Sequence, residues 1–515
     1  MIGYREYISV VKIFVLFIVL LLSAIFVEAE DGLRTIFLNN RAIICGINIR
    51  NFNSQDSDGN GIIDDNEVKG NFINAVKRLD EIKALGINTL HVLPITPTGK
   101  LKALGTAGSL YALSDFNSIN EQLVDKTSDL LPIEQAKFFI DEAHKRDIKI
   151  IVDLPSCGAY DLFLKHPEFF LKDDKQLSIV PSDWTDVRLF NTGDNSNLNG
   201  DVINIHKKFI DMLIDIGADG VRADVATIKP SKFWEEIINY ARNKNPEFLF
   251  LAEASDSWRE PPSKYAQFTP FDKLLESGFD GYYGSFFYLK DWKNASELYD
   301  HVKFNKKLFD SYKEGKSAIL SFTTHDEISP IILHGENFSK MICWLEATLP
   351  FNPYIIDGFQ TGDDYIYPLG NSKASKTETD DDYYFVHRGK LDIFNFSRKP
   401  EGKYTAIADE YKNAMNFRNT HSDQITLGNF VPLKTNFQNI FAYARCYEGV
   451  SIIVIGNLNY ENSFKKVLIK IPGLNKKSDI KLIKGNKDYK IHRGKLYTNL
   501  GRGDIKVLLI ENFSL

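Results

Sequence analysis

Between about residues 40 and 350, short apolar runs rich in β-branched residues alternate with longer segments of helical periodicity. This alternation is typical of repeated β/α units, in which amphipathic helices cover buried parallel strands. The strand candidates are residues 43–49, 87–93, 148–153, 220–224, 248–253 and 317–322, and the helix candidates include 133–146, 202–216 and 233–242. The pattern predicts an α/β fold in which parallel strands close into a barrel.

Polar residues stand at or just beyond the carboxyl ends of four of these strands. They are Asp153, Arg222, Asp224, Glu253, His325 and Asp326. In a β/α barrel these strand ends converge on the face that carries the chemistry. A single acid there can simply cap the next helix, but four carboxylates on one face are hard to explain in that way. Asp224 and Glu253 are placed to break a glycosidic bond with retention, one as nucleophile and the other as general acid/base.

The segments around these residues resemble signature segments of the α-amylase family, glycoside hydrolase family 13. They read GVRAD at 220–224, FLAEA at 250–254 and SFTTHD at 321–326, and residues 347–358 resemble the family's eighth strand and its loop. The resemblance implies a (β/α)8 TIM barrel and a retaining glycosidase that acts on malto-oligosaccharides or short α-glucans. It further implies that Asp224 is the nucleophile, Glu253 the general acid/base and Asp326 a third carboxylate that helps to bind and distort the sugar.

Four more residues are predicted to serve the same site. Arg222 lies two residues before Asp224, so in a strand both side chains point to one face, where the guanidinium can keep the nucleophile ionised. The resemblance adds Asp153 and His325, and it makes Tyr111, within GSLYALSDF at 108–116, the ring that stacks on the sugar. A lone Tyr is more often a core residue, so the prediction for Tyr111 depends on the motif.

Two departures from the family pattern change the expected substrate range. The first signature of the family usually ends in Asn and His, but here Asp153 is followed by Leu, Pro, Ser156 and Cys157. The Lys-His pair that often stands three and four residues after the nucleophile is replaced by Thr227 and Ile228. A plain endo-acting starch amylase is therefore disfavoured. The same acids also serve a glucanotransferase, in which a sugar hydroxyl replaces water. A non-catalytic, carbohydrate-binding member of the family is a third interpretation.

Residues 56–67 match a loop of the EF-hand type for Ca²⁺. The predicted ligands are Asp56, Asp58, Asn60, Asp64 and Glu67 through side-chain oxygens and Ile62 through its carbonyl. The loop occurs once and follows the first strand candidate, which does not fit a paired calcium sensor. It resembles a loop after the first strand in oligosaccharide-cleaving members of the α-amylase family. We therefore expect a structural calcium ion away from the chemistry.

The ends of the chain predict further segments. Residues 1–29 combine Arg5 and Lys12, an apolar run and a possible cleavage site after Ala29, which is typical of a signal peptide. The run is short for a membrane span, so we expect a secreted or periplasmic protein, anchored in the membrane only if the signal is not cleaved. The catalytic barrel is predicted at 30–395, with a short inserted subdomain at about 154–200 after the third strand, and an antiparallel β-domain at 396–515.

Net charge narrows the choice of partners. The 62 Lys and Arg residues and 68 Asp and Glu residues give a formal charge of -6, which offers no general electrostatic reason to bind nucleic acid or an anionic membrane. The expected partner is an α-glucan or malto-oligosaccharide substrate, and the oligomeric state is not predicted. The four cysteines are far apart in sequence, and we expect mostly free, buried thiols.

Overall fold

The computed structural model describes residues 31–58, 63–103, 108–181, 185–261, 263–364, 367–369, 384–386 and 404–515. The predicted signal peptide at 1–29, two of the predicted calcium ligands, Asn60 and Ile62, and the predicted domain boundary at 395/396 lie outside the described residues. In the described part of the chain, no helix is both long and apolar enough to span a membrane.

Within the described residues, eight parallel strands form a closed barrel, which confirms the predicted fold. Each strand pairs with the next along the chain, and β8 pairs with β1. The barrel strands are β1 Ile44–Ile47, β2 Thr89–Val92, β3 Lys149–Leu154, β4 Gly220–Ala223, β5 Leu249–Ala252, β6 Gly281–Tyr282, β7 Ser317–Leu320 and β8 Asn352–Ile356. No strand candidate marked β6, because two residues show neither alternation nor an apolar run.

Helices cover the outside of the barrel and close its lower end. They are Leu33–Leu38, Ile49–Phe52, Phe72–Ala75, Leu79–Ala84, Pro132–His144, Gly200–Ile216, Ser231–Lys244, Phe271–Glu276, Ala295–Asp310 and Pro330–Thr348. The helix Gly200–Ile216 illustrates why they form: the side chain of Asn199 caps its first turn, and Val202, Phe209 and Leu213 lie buried at helical spacing.

The inward-facing side chains of β3 and β5 are apolar in the lower part of the barrel, towards the amino ends of the strands, and charged at its upper, carboxyl end. Because side chains alternate along a strand, Ile151 shares a face with Asp153, and Leu251 shares one with Glu253. Ile151 and Leu251 belong to a buried apolar cluster that includes Phe37 of the first helix. Apolar residues therefore fill the lower barrel, and the next inward side chain, at or just beyond the carboxyl end of each of these strands, is charged.

A short insertion follows β3 and precedes the helix Gly200–Ile216. Its strands Cys157–Ala159 and Val187–Leu189 pair in antiparallel fashion, and the helix Tyr160–Lys165 lies between them in sequence. All four cysteines are buried, and none of them forms a disulfide bond, as expected.

The C-terminal part begins with the helices Thr405–Thr420 and Ser422–Thr426 and continues as antiparallel sheets. One sheet contains Asn429–Pro432, Ile440–Tyr447, Val450–Asn457, Ile505–Glu511 and Asp479–Lys484, and the other contains Lys434–Thr435, Phe464–Lys470, Lys495–Leu500 and Lys490–His492. Arg418 ties this part to the barrel, since its guanidinium donates to the carbonyls of Leu349 at 2.9 Å and Phe351 at 2.7 Å.

Candidate active site

The guanidinium of Arg222 joins three carboxylates that come from three neighbouring strands. Its Nη1 donates to Asp153 Oδ1 at 2.8 Å and to Asp224 Oδ1 at 3.0 Å, and its Nη2 lies 2.9 Å from Glu253 Oε2. Its Nε donates to the hydroxyl of Tyr283 at 2.9 Å. Burial opposes the charge on Arg222, but Asp153 and Glu253 outweigh burial and raise its pKa. One fixed cation thus holds the predicted nucleophile and the predicted acid/base together.

A second set of contacts surrounds Asp153. The hydroxyl of Tyr111 donates to Asp153 Oδ2 at 2.7 Å and lies 2.9 Å from His325 Nε2. His91 Nε2 lies 3.3 Å from the same carboxylate oxygen. Burial alone would raise the pKa of Asp153, but the charge of Arg222 and the hydrogen bond with His91 outweigh it, so the pKa is lowered. Asp153 therefore stays ionised and anchors the groups around it.

The predicted platform Tyr111 and the predicted sugar ligand His325 are neighbours in space. Their rings stack with centroids 5.8 Å apart and an angle of 11° between the planes. Burial raises the pKa of Tyr111 well above its usual range, which keeps the hydroxyl protonated as a donor. The third predicted carboxylate, Asp326, has its Oδ2 3.3 Å from His325 Nε2, and 22% of its side chain is exposed. Asp326 is therefore the member of the predicted catalytic set that is most open to solvent.

The backbone between β4 and the next helix supplies a contact to Glu253. Val225, directly after Asp224, has φ 36° and ψ 53°, in the left-handed region that costs a β-branched residue about 1–3 kcal/mol. This conformation allows the Val225 N–H to donate to Glu253 Oε2 at 2.6 Å. The strained residue therefore follows the predicted nucleophile, Asp224, directly in the chain and contacts the predicted acid/base, Glu253.

Ser156, one of the residues that depart from the family pattern, contacts the predicted nucleophile Asp224. The Ser156 N–H donates to Asp224 Oδ2 at 3.3 Å, and its hydroxyl donates to the backbone carbonyl of Asp224. Behind it, Lys229 Nζ donates to the Ser156 carbonyl at 2.8 Å. The segment after β3 is thereby fixed to the segment after β4, so Ser156 supports Asp224 although it differs from the family pattern.

The described part of the predicted calcium loop brings three carboxylates together. Oxygens of Asp56, Asp58 and Glu67 all lie within 4.8 Å of one another. The N–H of Asp64 donates to Glu67 Oε2 at 3.0 Å, and Ser57 donates to Oε1. These hydrogen bonds lower the pKa of Glu67. The carboxylate of Asp64 does not belong to this cluster of three.

The structure brings together Tyr111, Asp153, Arg222, Asp224, Glu253, His325 and Asp326 on one face of the barrel, whereas the catalytic roles assigned to them stay predictions. Four further residues of the site were not predicted: His91, Tyr283, Lys229 and Tyr354, whose hydroxyl lies 2.9 Å from His91 Nδ1. His91 carried a usable signal, because it is a polar residue inside an apolar strand. Tyr283 and Tyr354 carried none, because buried Tyr residues are common.

The comparisons with known proteins agree with this geometry. An α-amylase from Dictyoglomus thermophilum is 24% identical over 475 residues, which cover 82% of this chain and 86% of that protein. The proteins that this chain is similar to thus include α-amylases and maltosyltransferases, in agreement with the resemblance of its motifs to the α-amylase family. No protein-family model matches it. An α-1,4-glucan:maltose-1-phosphate maltosyltransferase from Bifidobacterium animalis is 30% identical over 207 residues, but this chain spans only 28% of that protein.

A solved structure has the same fold as this chain. The crystal structure of a maltogenic α-amylase from Thermotoga neapolitana matches with a TM-score of 0.67 and 20% identity, over 92% of this chain and 100% of that one. The match extends beyond the barrel, because the described barrel strands end at Ile356.

Proposed function

We propose that the protein is a retaining enzyme that acts on α-glucosidic bonds of malto-oligosaccharides or short α-glucans. The observation that carries the proposal is the shared guanidinium of Arg222, which holds Asp224 and Glu253 at 3.0 Å and 2.9 Å. A retaining mechanism needs two carboxyl groups close together, whereas an inverting one needs room for a water molecule between them. Similarity to an α-amylase from Dictyoglomus thermophilum supports the same class of reaction.

In the first step, a carboxylate oxygen of Asp224 attacks the anomeric carbon while Glu253 gives a proton to the leaving oxygen. Arg222 and the N–H of Ser156 keep Asp224 ionised and aimed. In the resting structure Glu253 contacts Arg222 and the N–H of Val225, and both contacts favour its charged form. Glu253 must therefore leave this pair when substrate binds, since catalytic contacts often tighten or change only in the complex.

In the second step, Glu253 removes a proton from the acceptor, which attacks the covalent intermediate and frees Asp224. The acceptor is water in a hydrolase and a sugar hydroxyl in a transferase. Both hydrolysis and transfer stay open for this chain, because one similar protein is named an α-amylase and another a maltosyltransferase. The departures at Ser156, Cys157, Thr227 and Ile228 disfavour a plain endo-acting starch amylase, and the short insertion after β3 favours short substrates.

The decisive experiment incubates purified protein that lacks residues 1–29 with a panel of α-linked oligosaccharides, with and without calcium. Products are separated and their anomeric form is recorded, which distinguishes hydrolysis from transfer and tests retention. Asp224→Asn should be inactive, whereas the matched control Asp215→Asn, on an exposed helix position, should keep full activity. A wild-type protein no more active than Asp224→Asn across the panel would instead establish the non-catalytic interpretation.

A second experiment tests the role of Glu253. Glu253→Gln should slow the cleavage of natural oligosaccharides much more than the cleavage of aryl glycosides with good leaving groups, because the latter need little proton assistance. Equal losses on both kinds of substrate would contradict the acid role.

Two further proposals follow from the sequence. We propose that Asp56, Asp58, Asn60, Ile62, Asp64 and Glu67 hold a structural Ca²⁺; the convergence of three carboxylates supports this, since like charges this close repel each other without a cation. We also propose that residues 1–29 direct export to a secreted or periplasmic location. N-terminal sequencing of the protein recovered outside the cytoplasm tests this, and a retained Met1 would contradict cleavage.

A further inference from the structure

A cavity of about 780 Å³ lies between the segment after β1 and the segment after β2. Its size is within the range of small-molecule sites. Four cationic side chains, Arg50, Lys69, Lys100 and Lys126, line it together with one acid, Glu121. Asp224, Glu253 and Asp326 do not line it. The cavity is therefore separate from the proposed catalytic set, and its lining is basic although the whole chain is slightly acidic.

Arg50 is the unusual member of this lining. Only 5% of the residue is exposed, yet its Nε and Nη1 are buried without a hydrogen-bond partner. Within the described residues its guanidinium forms no ion pair, and burial lowers its pKa to about 10 with no charged neighbour to offset the shift. Arg222 binds carboxylates and Arg418 binds carbonyl oxygens, whereas Arg445 shares an unpartnered Nε and Nη1 with Arg50 but donates from Nη2 to the Ile425 carbonyl and does not line the cavity. A buried, unpaired cation destabilises a fold and is normally paired with an anion.

The backbone that carries Arg50 is held firmly. Its N–H donates to Asn48 Oδ1 at 2.9 Å, and its carbonyl accepts from the Gly70 N–H at 3.0 Å. Any side chain at residue 70 would collide with the Arg50 carbonyl, because a Cβ there would lie 2.4 Å from that oxygen. The main chain around Arg50 is therefore fixed, while Nε and Nη1 of its guanidinium remain without a hydrogen-bond partner.

We propose that this cavity binds the phosphate group of a phosphorylated saccharide or of free phosphate. Guanidinium groups bind phosphate through two parallel hydrogen bonds, and a dianion balances the excess positive charge of the lining better than a carboxylate does. Lys69 pairs with Asp65 at 2.9 Å, but both side chains are exposed, so this pair is weak and can exchange for the ligand. The hydroxyl of Thr98 and the amide of Gln122 line the same cavity and suit sugar hydroxyls.

Isothermal titration calorimetry on the protein that lacks residues 1–29 tests this proposal, with glucose 6-phosphate, inorganic phosphate and glucose titrated separately at constant calcium. We expect glucose 6-phosphate to bind more tightly than glucose. Binding of inorganic phosphate as well would show that the anion suffices, and its failure to bind would show that the sugar is also recognised. If neither phosphate compound binds more tightly than glucose, the proposal is wrong.

Variants of Arg50 connect the binding to this residue. Arg50→Met should weaken phosphate binding by about tenfold or more, because a charge-assisted, bidentate contact is lost. Arg50→Lys keeps the charge but cannot form two parallel hydrogen bonds, so it should also bind phosphate more weakly than wild type. The matched control Arg41→Met removes an exposed arginine that pairs with Asp423 and should bind like wild type. Unchanged binding by both Arg50 variants would overturn the proposal.

Thermal unfolding gives an independent readout. Without ligand, Arg50→Met should melt at the same temperature as wild type or higher, since it removes an unpaired buried charge. Glucose 6-phosphate should raise the melting temperature of wild type and not that of Arg50→Met. A lower melting temperature for the unliganded variant would show that Arg50 has a structural partner and would contradict the proposal. Neither readout requires catalysis, so failure here leaves the test of Asp224 unaffected.

Discussion

Replacing Lys229 by methionine tests how the protein tolerates a charge buried behind the proposed nucleophile. Lys229 is 1% exposed, and its Nζ donates to the Ser156 carbonyl. Burial lowers its pKa to about 8, although Cys157 and Asp224 act in the opposite direction. The rings of Phe190 and Phe233 also face the ammonium group, with centroids at 5.6 Å and 5.8 Å. Methionine has a similar length and no charge.

The expected magnitude follows from the shift in pKa. The pKa of Lys229 falls from 10.5 to about 8. At about 1.4 kcal/mol for each unit of pKa, the buried charge costs the folded state roughly 3 kcal/mol. Below about pH 8 the lysine is protonated in both states, so the full cost is present. Between about pH 8 and 10.5 the folded state has lost its proton and the unfolded state has not, so stability rises with pH.

Urea unfolding of wild type and Lys229→Met between pH 7 and 10.5 measures this effect. We expect the free energy of unfolding of the variant, relative to wild type, to be highest near pH 7 and to fall by up to roughly 3 kcal/mol as the pH rises. Loss of the hydrogen bond to Ser156 costs about 1–3 kcal/mol at every pH, and therefore shifts the curve without changing its slope.

The control for this experiment is Lys232→Met. Lys232 lies three residues further along, its side chain is 56% exposed, and it pairs with Glu235. This variant should show little pH dependence relative to wild type. A difference between Lys229→Met and wild type that stays constant from pH 7 to 10.5 would refute the reasoning. Because Ser156 supports Asp224, Lys229→Met should also lower kcat on the best oligosaccharide substrate.

Three further predictions concern the site and the calcium loop. Tyr111→Phe keeps the ring but removes the hydrogen bond to Asp153, so kcat/KM should fall by roughly 10- to 100-fold. The control is Tyr265→Phe, at an exposed position. Equal kcat/KM values for the two variants would exclude a role of the Tyr111 hydroxyl in the reaction. Arg222→Met leaves buried carboxylates unpaired, so the free energy of unfolding should fall by about 3–5 kcal/mol, and an unchanged urea midpoint would contradict that account. Removal of calcium with a chelator should lower the melting temperature of wild type and affect Glu67→Gln less, whereas a wild-type melting temperature unchanged by excess chelator counts against the ion.

Much of the barrel could be predicted because its signals are local. The strand candidate at 148–153 corresponds to the observed strand Lys149–Leu154, and the candidate at 248–253 corresponds to Leu249–Ala252. Apolar runs and helical periodicity depend on neighbours in the chain, and they also indicate which residues end a strand. Strand ends converge in a β/α barrel, so Asp153, Arg222 and Glu253 could be assigned to one site before their contacts were known.

The sequence by itself therefore determined the fold class, the strands that carry the site and the acids proposed for the chemistry. Only the tertiary structure decided which groups meet: Arg222 joins carboxylates of three strands, and Ser156 supports Asp224. It also leaves Nε and Nη1 of Arg50 without a hydrogen-bond partner in a residue that lines a basic cavity. The net charge of -6 gave no indication of that cavity. The physical reason is that periodicity fixes the face on which a side chain lies, whereas its partners depend on how distant segments pack when the barrel closes.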